Sequence, residues 1–219
     1  MTSTEPTRVS SWRILARNPV TAVSALVLLV VAIVAVFANA IAPHGVNDVD
    51  VPDALQPPSG AHWFGTDELG RDVLSRVIVA TQASMRVAVI SVAFAVVVGV
   101  TVGVLAGYRG GWLDTVLMRV VDVMFAFPVL LLALAVVAIL GPGVTTTILA
   151  IGIVYTPIFA RVARASTLGV RTEPYVAVSH AMGTPDRMIL RRHILPNIAG
   201  PLIVQTSLSL AFAILSEAA

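Results

Sequence analysis

Four apolar stretches without a charged residue divide this chain, and their lengths constrain the fold more than any other feature. They are Val20–Ala42, Val87–Tyr108, Val123–Ala160 and Ile194–Ser216. A helix needs roughly 20 apolar residues to cross the core of a bilayer, and each stretch is long enough. Because backbone polar groups in lipid must be hydrogen-bonded within the chain, we expect helices. The sequence therefore predicts an all-α, multi-pass membrane protein.

The third stretch, Val123–Ala160, is too long for a single crossing. At about 1.5 Å per residue it would extend to roughly 57 Å as one helix. Gly141-Pro142-Gly143 lies within it, and such a triplet is a strong turn signal. We therefore predict two helices here, over about 114–140 and 144–165. The whole chain is then a polytopic helical bundle with five spans.

The composition excludes several classes of function. Hydrophobic residues make up 57% of the chain and charged residues only 12%, against about 25% charged residues in a typical soluble domain. The net charge is only +2 and the arginines recur between spans, so no nucleic-acid partner is predicted. There is no cysteine, no ligand spacing among the histidines, and no HExxH or GxSxG motif. We predict no catalytic residue, no metal site and no cofactor.

All fourteen basic residues are arginine, and the absence of lysine has a direct consequence. A nucleotide-binding P-loop requires a lysine after its glycine-rich turn, so this chain cannot contain one. If the activity of this membrane protein is driven by ATP, another subunit must therefore hydrolyse it.

The placement of the arginines predicts the orientation in the membrane. Three precede the first span and six lie within 161–193, whereas 43–80 is rich in acidic residues. By the positive-inside rule, residues 1–19 and 161–193 are cytoplasmic and 43–80 is an external loop. Residues 20–42 form the first transmembrane helix, which is too long for a signal peptide. Residues 81–219 form the transmembrane core.

A charged segment, Glu173–Asn197, separates the last two spans. We expect Thr172 to cap a helix that carries Glu173 and Pro174 in its first turn. Gly183 can end this helix. The apolar residues that share one of its faces are Tyr175, Val178 and Met182.

A second helix is expected to follow the glycine. Thr184 and Pro185 open it, Asp186 lies in its first turn, and Pro196 breaks it before the last span. Two capped amphipathic helices at a membrane surface need something to pack against. We therefore predict that the segment 172–195 docks onto a partner, although a solvated loop whose charges serve only topology is the simpler alternative.

Two further charged patterns permit local predictions. Thr66 is expected to cap a helix running to Arg76, with an ion pair between Asp72 and Arg76 one turn apart. At the start of the third span we expect Asp114, Arg119 and Asp122 to pair with one another.

Glycine recurs every fourth residue in the second span, at Gly99, Gly103 and Gly107. Small residues at this spacing allow the backbones of two membrane helices to approach closely. The stripe predicts a helix-packing surface.

Four sequence blocks resemble the permease subunits of binding-protein-dependent ABC importers. Eleven residues separate Gly183 from Leu195-Pro196, as in the cytoplasmic loop of these permeases, although Ala177-Val178-Ser179 stands in place of its Glu-Ala-Ala triplet. The block HWFGTDELGRDVLSR at 62–76 resembles the signature of the "C"-type subunit in the dipeptide, oligopeptide and nickel branch. The blocks AGYRGGW and LGPG also fit, and the resemblance runs from about residue 10 to the end.

The resemblance implies two contact surfaces. Coupling helices at 172–195 would enter a cleft of an ATPase subunit, and 43–80 would contact an external binding protein. The residues assigned to ATPase coupling are Glu173, Tyr175, Val178, Ala181, Met182, Gly183, Arg187, Arg192, His193, Leu195 and Pro196. Those assigned to the binding-protein contact are Asp67, Glu68, Arg71 and Asp72.

The resemblance also implies an assembly in the plasma or inner membrane. Its expected members are this permease, a sister permease, one or two ABC ATPase subunits and an external substrate-binding protein. The expected substrates are peptides, dipeptides in particular; import of nickel or haem by the same family, and a secondary transporter as a different class, are the alternatives. Full-length members have a sixth span, so we expect this sequence to stop before the last transmembrane helix.

Overall fold

The computed structural model describes residues 18–218, and every regular element in that range is helical. The helices are α1 (Pro19–Ile41), α2 (Val73–Arg109), α3 (Gly111–Ala126), α4 (Val129–Leu140), α5 (Val144–Arg171), α6 (Pro174–Ala181), α7 (Asp186–Ile189) and α8 (Leu195–Ala218). A π-helical turn over Leu190–Ile194 joins α7 to α8, and a 3-10 turn covers Val51–Asp53. The all-α prediction is confirmed.

The helices are long and apolar enough for a multi-pass membrane protein. Within the described residues, α1, α2, α5 and the continuous helix Asp186–Glu217 each satisfy the length and hydropathy of a span. The pair α3 and α4 gives a fifth span if the two are counted together. The fold therefore has four or five candidate spans in the described residues, and the predicted number of five is the upper of these two counts.

The predicted single helix over 114–140 is wrong, because the chain bends by 94° between α3 and α4. Pro128 causes the break: it has no N–H to donate, and it disfavours helical backbone at the residue before it. Phe127 accordingly has extended φ and ψ of −87° and 134°. The helix predicted over 144–165 begins at the expected Val144 but continues to Arg171.

The second span also differs from its prediction, since α2 begins at Val73 rather than near Val87. The extra turns contain Arg76 and Arg86, and a criterion based on the absence of charge stops at such residues. Long arginine side chains can lie along a helix and reach the membrane surface with their charged ends. The absence of charged residues therefore did not locate the first residue of α2.

The helix predicted to start at Thr66 is also wrong. The Thr66 hydroxyl instead donates to the carbonyl of Asp53 and accepts from the Gln56 backbone N–H at 2.8 Å. Asp72 is the residue that caps a helix, because its Oδ2 accepts from the Ser75 N–H at 2.8 Å at the start of α2. The predicted Asp72–Arg76 ion pair does not form.

Among the described residues, those up to Ala83 form one compact unit and those from Ser84 form a second. In the first unit, the Gln82 side-chain amide donates to the Ala35 carbonyl at 2.8 Å. Most of the large apolar side chains on α1 are exposed, with only Ala35 and Ala38 buried. This exposure suits a helix surrounded by lipid.

In the second unit α5 is central and packs against α3, α4 and α8. The glycine stripe of α2 also lies on it, which confirms the predicted packing surface. A Cβ added at Gly99 would come within 2.5 Å of the Thr156 carbonyl oxygen, and one at Gly103 would overlap the carbonyl of Ala160. Larger residues at these positions would force the two backbones apart.

Two ion pairs join α3 to α5. The Asp114 carboxylate accepts hydrogen bonds from Nε of Arg164 at 2.5 Å and from a terminal guanidinium nitrogen of Arg164 at 2.7 Å, so the pair is bidentate. Asp122 receives Arg161 at 2.7 Å. The prediction that Asp114, Asp122 and Arg119 pair among themselves is therefore wrong for both carboxylates, whose partners lie on a helix distant in sequence. The contact between α3 and α5 is therefore held by ion pairs in addition to apolar packing.

Candidate functional site

The segment 172–195 has one side buried in the bundle. Val176 of α6 and Ile189 of α7 are fully buried, as is Ile194 of the π-helical turn. They form one apolar cluster with Val104 of α2 and Ala163 of α5. Burial of an aliphatic side chain contributes about 1.5–3 kcal/mol, so these contacts fix the segment to α2 and α5.

A polar contact anchors the same segment. The Tyr108 hydroxyl, at the end of α2, donates to Oδ1 of Asp186 at 2.9 Å and lies 3.0 Å from Nε2 of His180. The rings of Tyr108 and His180 are stacked at 6.0 Å. One side chain of the bundle therefore contacts both α6 and α7.

The turn between α6 and α7 is built around Gly183, as the sequence predicts. Gly183 has φ of +75°, a conformation that costs a residue with a side chain roughly 1–2 kcal/mol. Its N–H donates to the His180 carbonyl, and the Thr184 N–H donates to the Ser179 carbonyl. This pair of bonds is a Schellman motif, which satisfies the free carbonyls at the end of α6.

Two details of the predicted segment are wrong. Thr172 ends α5, with its hydroxyl donating to the Gly169 carbonyl at 2.8 Å, and Glu173 takes the N-cap position of α6. Pro196 does not break the second helix, which continues into α8. The π-helical turn Leu190–Ile194 precedes it, and the Leu195 N–H bonds to the Leu190 carbonyl. This wider turn accommodates the missing N–H and the ring of the proline.

The opposite side of the segment is exposed and partly apolar. Met182 is 79% exposed, Val178 is 56% exposed, and Tyr175 and Met188 are also exposed. Met188 also lines an open groove of about 460 Å³, together with Pro185, Arg187, Arg191 and Arg192. We call this exposed side, defined by Tyr175, Val178, Met182 and Met188, the outer face, meaning the face directed away from the bundle. Exposed apolar groups rimmed by arginine are typical of a protein-docking surface.

The residues predicted to contact a partner nearly all lie on the exposed side. Glu173, Tyr175, Val178, Ala181, Met182, Gly183, Arg187, Arg192, Leu195 and Pro196 are exposed. His193 is half-buried, with its ring 5.8 Å from that of Tyr175. The sequence reasoning missed Tyr108, Val176 and Ile189, which hold the segment in place. The available signal for Tyr108 was its position: a side chain with a polar tip, directly after the last glycine of the stripe in the second span.

The predicted external contact residues are engaged within the chain. Asp67 accepts from the Arg71 side chain and backbone, from the Leu69 N–H, and from Arg76. The hydrogen bond from the Arg71 side chain holds the pKa of Asp67 well below its usual range. These contacts close a tight turn. Of the four predicted residues, Glu68 is exposed and Asp72 is buried.

The buried carboxylate of Asp72 lies close to the rings of two histidines. Its Oδ1 is 3.0 Å from Nδ1 of His62, and its Oδ2 is 3.7 Å from Nδ1 of His44. Burial raises the pKa of Asp72, but the hydrogen bonds from Ser75 and His62 outweigh it and lower this pKa from its ordinary value. A side chain that is 2% exposed is not available to a partner protein.

Large apolar side chains in the same region are exposed. Trp63 is 70% exposed and Phe64 is 57% exposed, and Leu69 is exposed as well. The sequence reasoning selected charged residues here and passed over these three, although two aromatic residues side by side in an acidic loop were visible.

The described residues thus form a multi-pass helical bundle with an anchored, partly exposed segment between the helix Val144–Arg171 and the helix that follows it. Residues 99–219 match the family described as binding-protein-dependent transport system inner membrane component. Residues 8–58 match the N-terminal transmembrane domain of oligopeptide transport permease C. The chain belongs to this family, as a C-type permease of ABC importers.

Curated relatives support the assignment over nearly the whole chain. The dipeptide transport system permease protein DppC of Alkalihalophilus pseudofirmus is 38% identical, over 97% of this chain and 71% of its own length. The probable D,D-dipeptide transport system permease protein DdpC of Escherichia coli is 41% identical, over 92% of this chain and 67% of its own. The glutathione transport system permease protein GsiD of Pectobacterium atrosepticum is 38% identical, over 94% and 69%.

A solved structure shows the same fold. An inward-facing MetNI methionine ABC transporter matches with a TM-score of 0.54 and 22% identity, over 60% of this chain and 67% of that one. Membership of the permease family decides against the secondary transporter, which was the alternative from a different class.

Proposed function

We propose that this chain forms half of the translocation pathway of an ATP-driven importer for short peptides, dipeptides in particular. The observation that carries the proposal is the two-sided segment 172–195, which is fixed to the bundle on one side and presents the outer face on the other. The named substrates of the relatives, dipeptides, D,D-dipeptides and glutathione, are all short peptides. They favour peptides over the nickel or haem alternative.

The segment is suited to pass on movement from an ATPase subunit. An ATPase that grips the exposed Tyr175, Val178 and Met182 would displace α6 and α7. Because Val176 is packed in the core and Asp186 is bonded to Tyr108, that displacement would be transmitted to α2, α5 and α8. Coupling of this kind requires two discrete arrangements of a rigid element, and a packed interface supplies them.

ATP hydrolysis is assigned to one or two partner ATPase subunits, because a chain without lysine cannot form a P-loop. The other half of the pathway is assigned to a sister permease. In this arrangement the permease is not itself an enzyme.

The orientation follows from the same assignment. The N-terminus and the segment 172–195 lie in the cytoplasm, where ATP is available, and 43–80 lies outside, where a binding protein delivers the peptide. Exposed Trp63, Phe64, Glu68 and Leu69 form the surface proposed to contact that binding protein. Asp67 and Arg71 shape the turn that presents them, and the buried Asp72 is left out of the contact.

Reconstitution of the complete importer tests the proposal. The permease, its sister subunit, the ATPases and the binding protein are placed in proteoliposomes, and dipeptide uptake is measured with ATP or with a proton gradient alone. Uptake that requires ATP, the binding protein and both permeases supports the proposal. Uptake by this polypeptide alone, driven by the gradient, contradicts it.

A pair of substitutions on the outer face tests the docking surface. Met182→Glu places a charge on an apolar contact and should lower ATPase recovery with the permease at least about tenfold, as for the loss of a central interface residue. Met182→Leu keeps the apolar surface and should retain the ATPase. Equal recovery with both variants would exclude Met182 from the interface.

A further inference from the structure

We propose that His44, His62 and Asp72 bind a divalent transition-metal ion, with Zn²⁺ as the best fit. The three side chains each offer a ligand atom, and these atoms all lie within 4.8 Å of one another. The imidazole rings are 4.7 Å apart and tilted by 34° above one carboxylate. The sequence predicted no metal site, since the spacing of these residues matches no metal motif; the fold brings them together.

Neighbouring hydrogen bonds already orient the ligands. Ser75 donates its N–H at 2.8 Å and its hydroxyl at 2.7 Å to Oδ2 of Asp72, which leaves Oδ1 directed towards His62. The backbone N–H of His44 donates to the Ser75 hydroxyl oxygen at 3.0 Å. Bonds of this kind, around the ligands of a metal, fix their orientation and raise its affinity.

The ligand set and its exposure indicate the class of metal. Two imidazoles and one carboxylate suit zinc, and also nickel, copper or iron, better than calcium or magnesium. Asp72 is buried, His62 is 16% exposed at its side chain and His44 is 40% exposed. The exposed side leaves room for a water molecule as a fourth ligand, which completes the tetrahedral coordination preferred by zinc.

Binding would join distant parts of the first unit. His44 follows α1, His62 lies in the turn with the exposed aromatic residues, and Asp72 begins α2. A bound ion would therefore fix the loop 43–72 to the start of α2. The proposal does not depend on the transport assignment, because it uses only contacts within the described loop.

The test uses the full chain, purified in detergent with an affinity tag that contains no histidine and stripped with a chelator. Zn²⁺ binding is measured by competition with a chromophoric chelator, and Co²⁺ is added to record the absorption bands of a four-coordinate site. The variants are His44→Asn and His62→Asn. His193→Asn is the control, as it removes a half-buried histidine elsewhere. Asp72 is left unchanged because it caps α2.

The expected result is one Zn²⁺ per chain, with affinity weakened at least about tenfold in each ligand variant and unchanged in His193→Asn. Zn²⁺ should also slow proteolysis of the loop 43–72 in the wild type and not in His44→Asn. Substoichiometric Zn²⁺ binding without Co²⁺ bands in the wild type would overturn the proposal. Equal affinity in the wild type and both ligand variants would overturn it too.

Discussion

The hydroxyl of Tyr108 donates a hydrogen bond of 2.9 Å to Asp186 and so joins the end of α2 to the start of α7. Hydrogen bonds to charged groups contribute about 1.5–3 kcal/mol. This bond lies at the boundary between the bundle and the segment proposed to bind an ATPase, and its loss would loosen the segment without altering any span.

Tyr108→Phe should therefore accelerate tryptic cleavage within the segment, at Arg187, Arg191 and Arg192, by about tenfold or more, because local opening becomes easier. Tyr155→Phe is the control, since the Tyr155 hydroxyl lies 3.3 Å from Ser216 Oγ, away from the segment. The measurement is the cleavage rate of the purified permease. Identical rates for both variants would show that Tyr108 does not hold the segment.

Gly103→Ala should destabilise the bundle, because the added Cβ overlaps the Ala160 carbonyl on α5. Overpacking of this kind costs typically about 1–3 kcal/mol. Gly169→Ala is the matched control: no atom lies within 4 Å of its added Cβ, and alanine favours the helix. Thermal unfolding in detergent should show a lower Tm for Gly103→Ala only. A lower Tm for both would point to a general intolerance of helix glycines.

Several features followed directly from the sequence. The glycine stripe predicts close helix packing and Gly183 predicts the end of a helix. Both are local patterns that depend on few residues, and both form as predicted. Pro128 lies within the apolar stretch Val123–Ala160, where the sequence reasoning placed a break only at the GPG triplet, and so the bend at Pro128 was not predicted. Thr66 failed as a cap because its hydroxyl bonds to Asp53 and Gln56, two residues of the preceding loop.

The remaining differences depend on tertiary structure. Asp114 takes Arg164 as its partner, and His44 approaches His62, only after the chain has folded. No spacing rule in one sequence identifies such pairs. Pro196 is tolerated in a continuous helix because a π-helical turn precedes it, and such turns have no reliable sequence signal.

The stability of the turn around Asp67 should depend on pH. Arg71 and Arg76 bind this carboxylate and the pKa of Asp67 is lowered, so its stabilising contribution is present above the ordinary pKa of 3.8 and is lost as the pH falls below it. Proteolysis of the loop 43–72 by an acid-active protease should speed up below about pH 4 in the wild type. Asp67→Asn should already be cleaved rapidly at pH 5. A variant as resistant as the wild type at pH 5 would contradict this account.

The proposed topology can be tested by cysteine labelling, because the chain has no cysteine of its own. Ser59→Cys and Ala177→Cys each replace an exposed residue, in the loop 43–72 and in α6. In intact cells an impermeant maleimide should label the variant at position 59 and leave the variant at position 177 unlabelled until the membrane is opened. Labelling of both in intact cells would refute the proposed orientation.

The central claim is that the Gly183 turn sets the geometry through which the outer face binds an ATPase. Its φ of +75° is tolerated by asparagine but strained for valine, and the surrounding space is open, so neither side chain clashes and valine alone strains the backbone. The decisive measurement is the amount of ATPase that co-purifies with the tagged permease. Gly183→Val should lose most of it while inserting normally, and Gly183→Asn should keep it. Wild-type recovery with Gly183→Val would contradict the account.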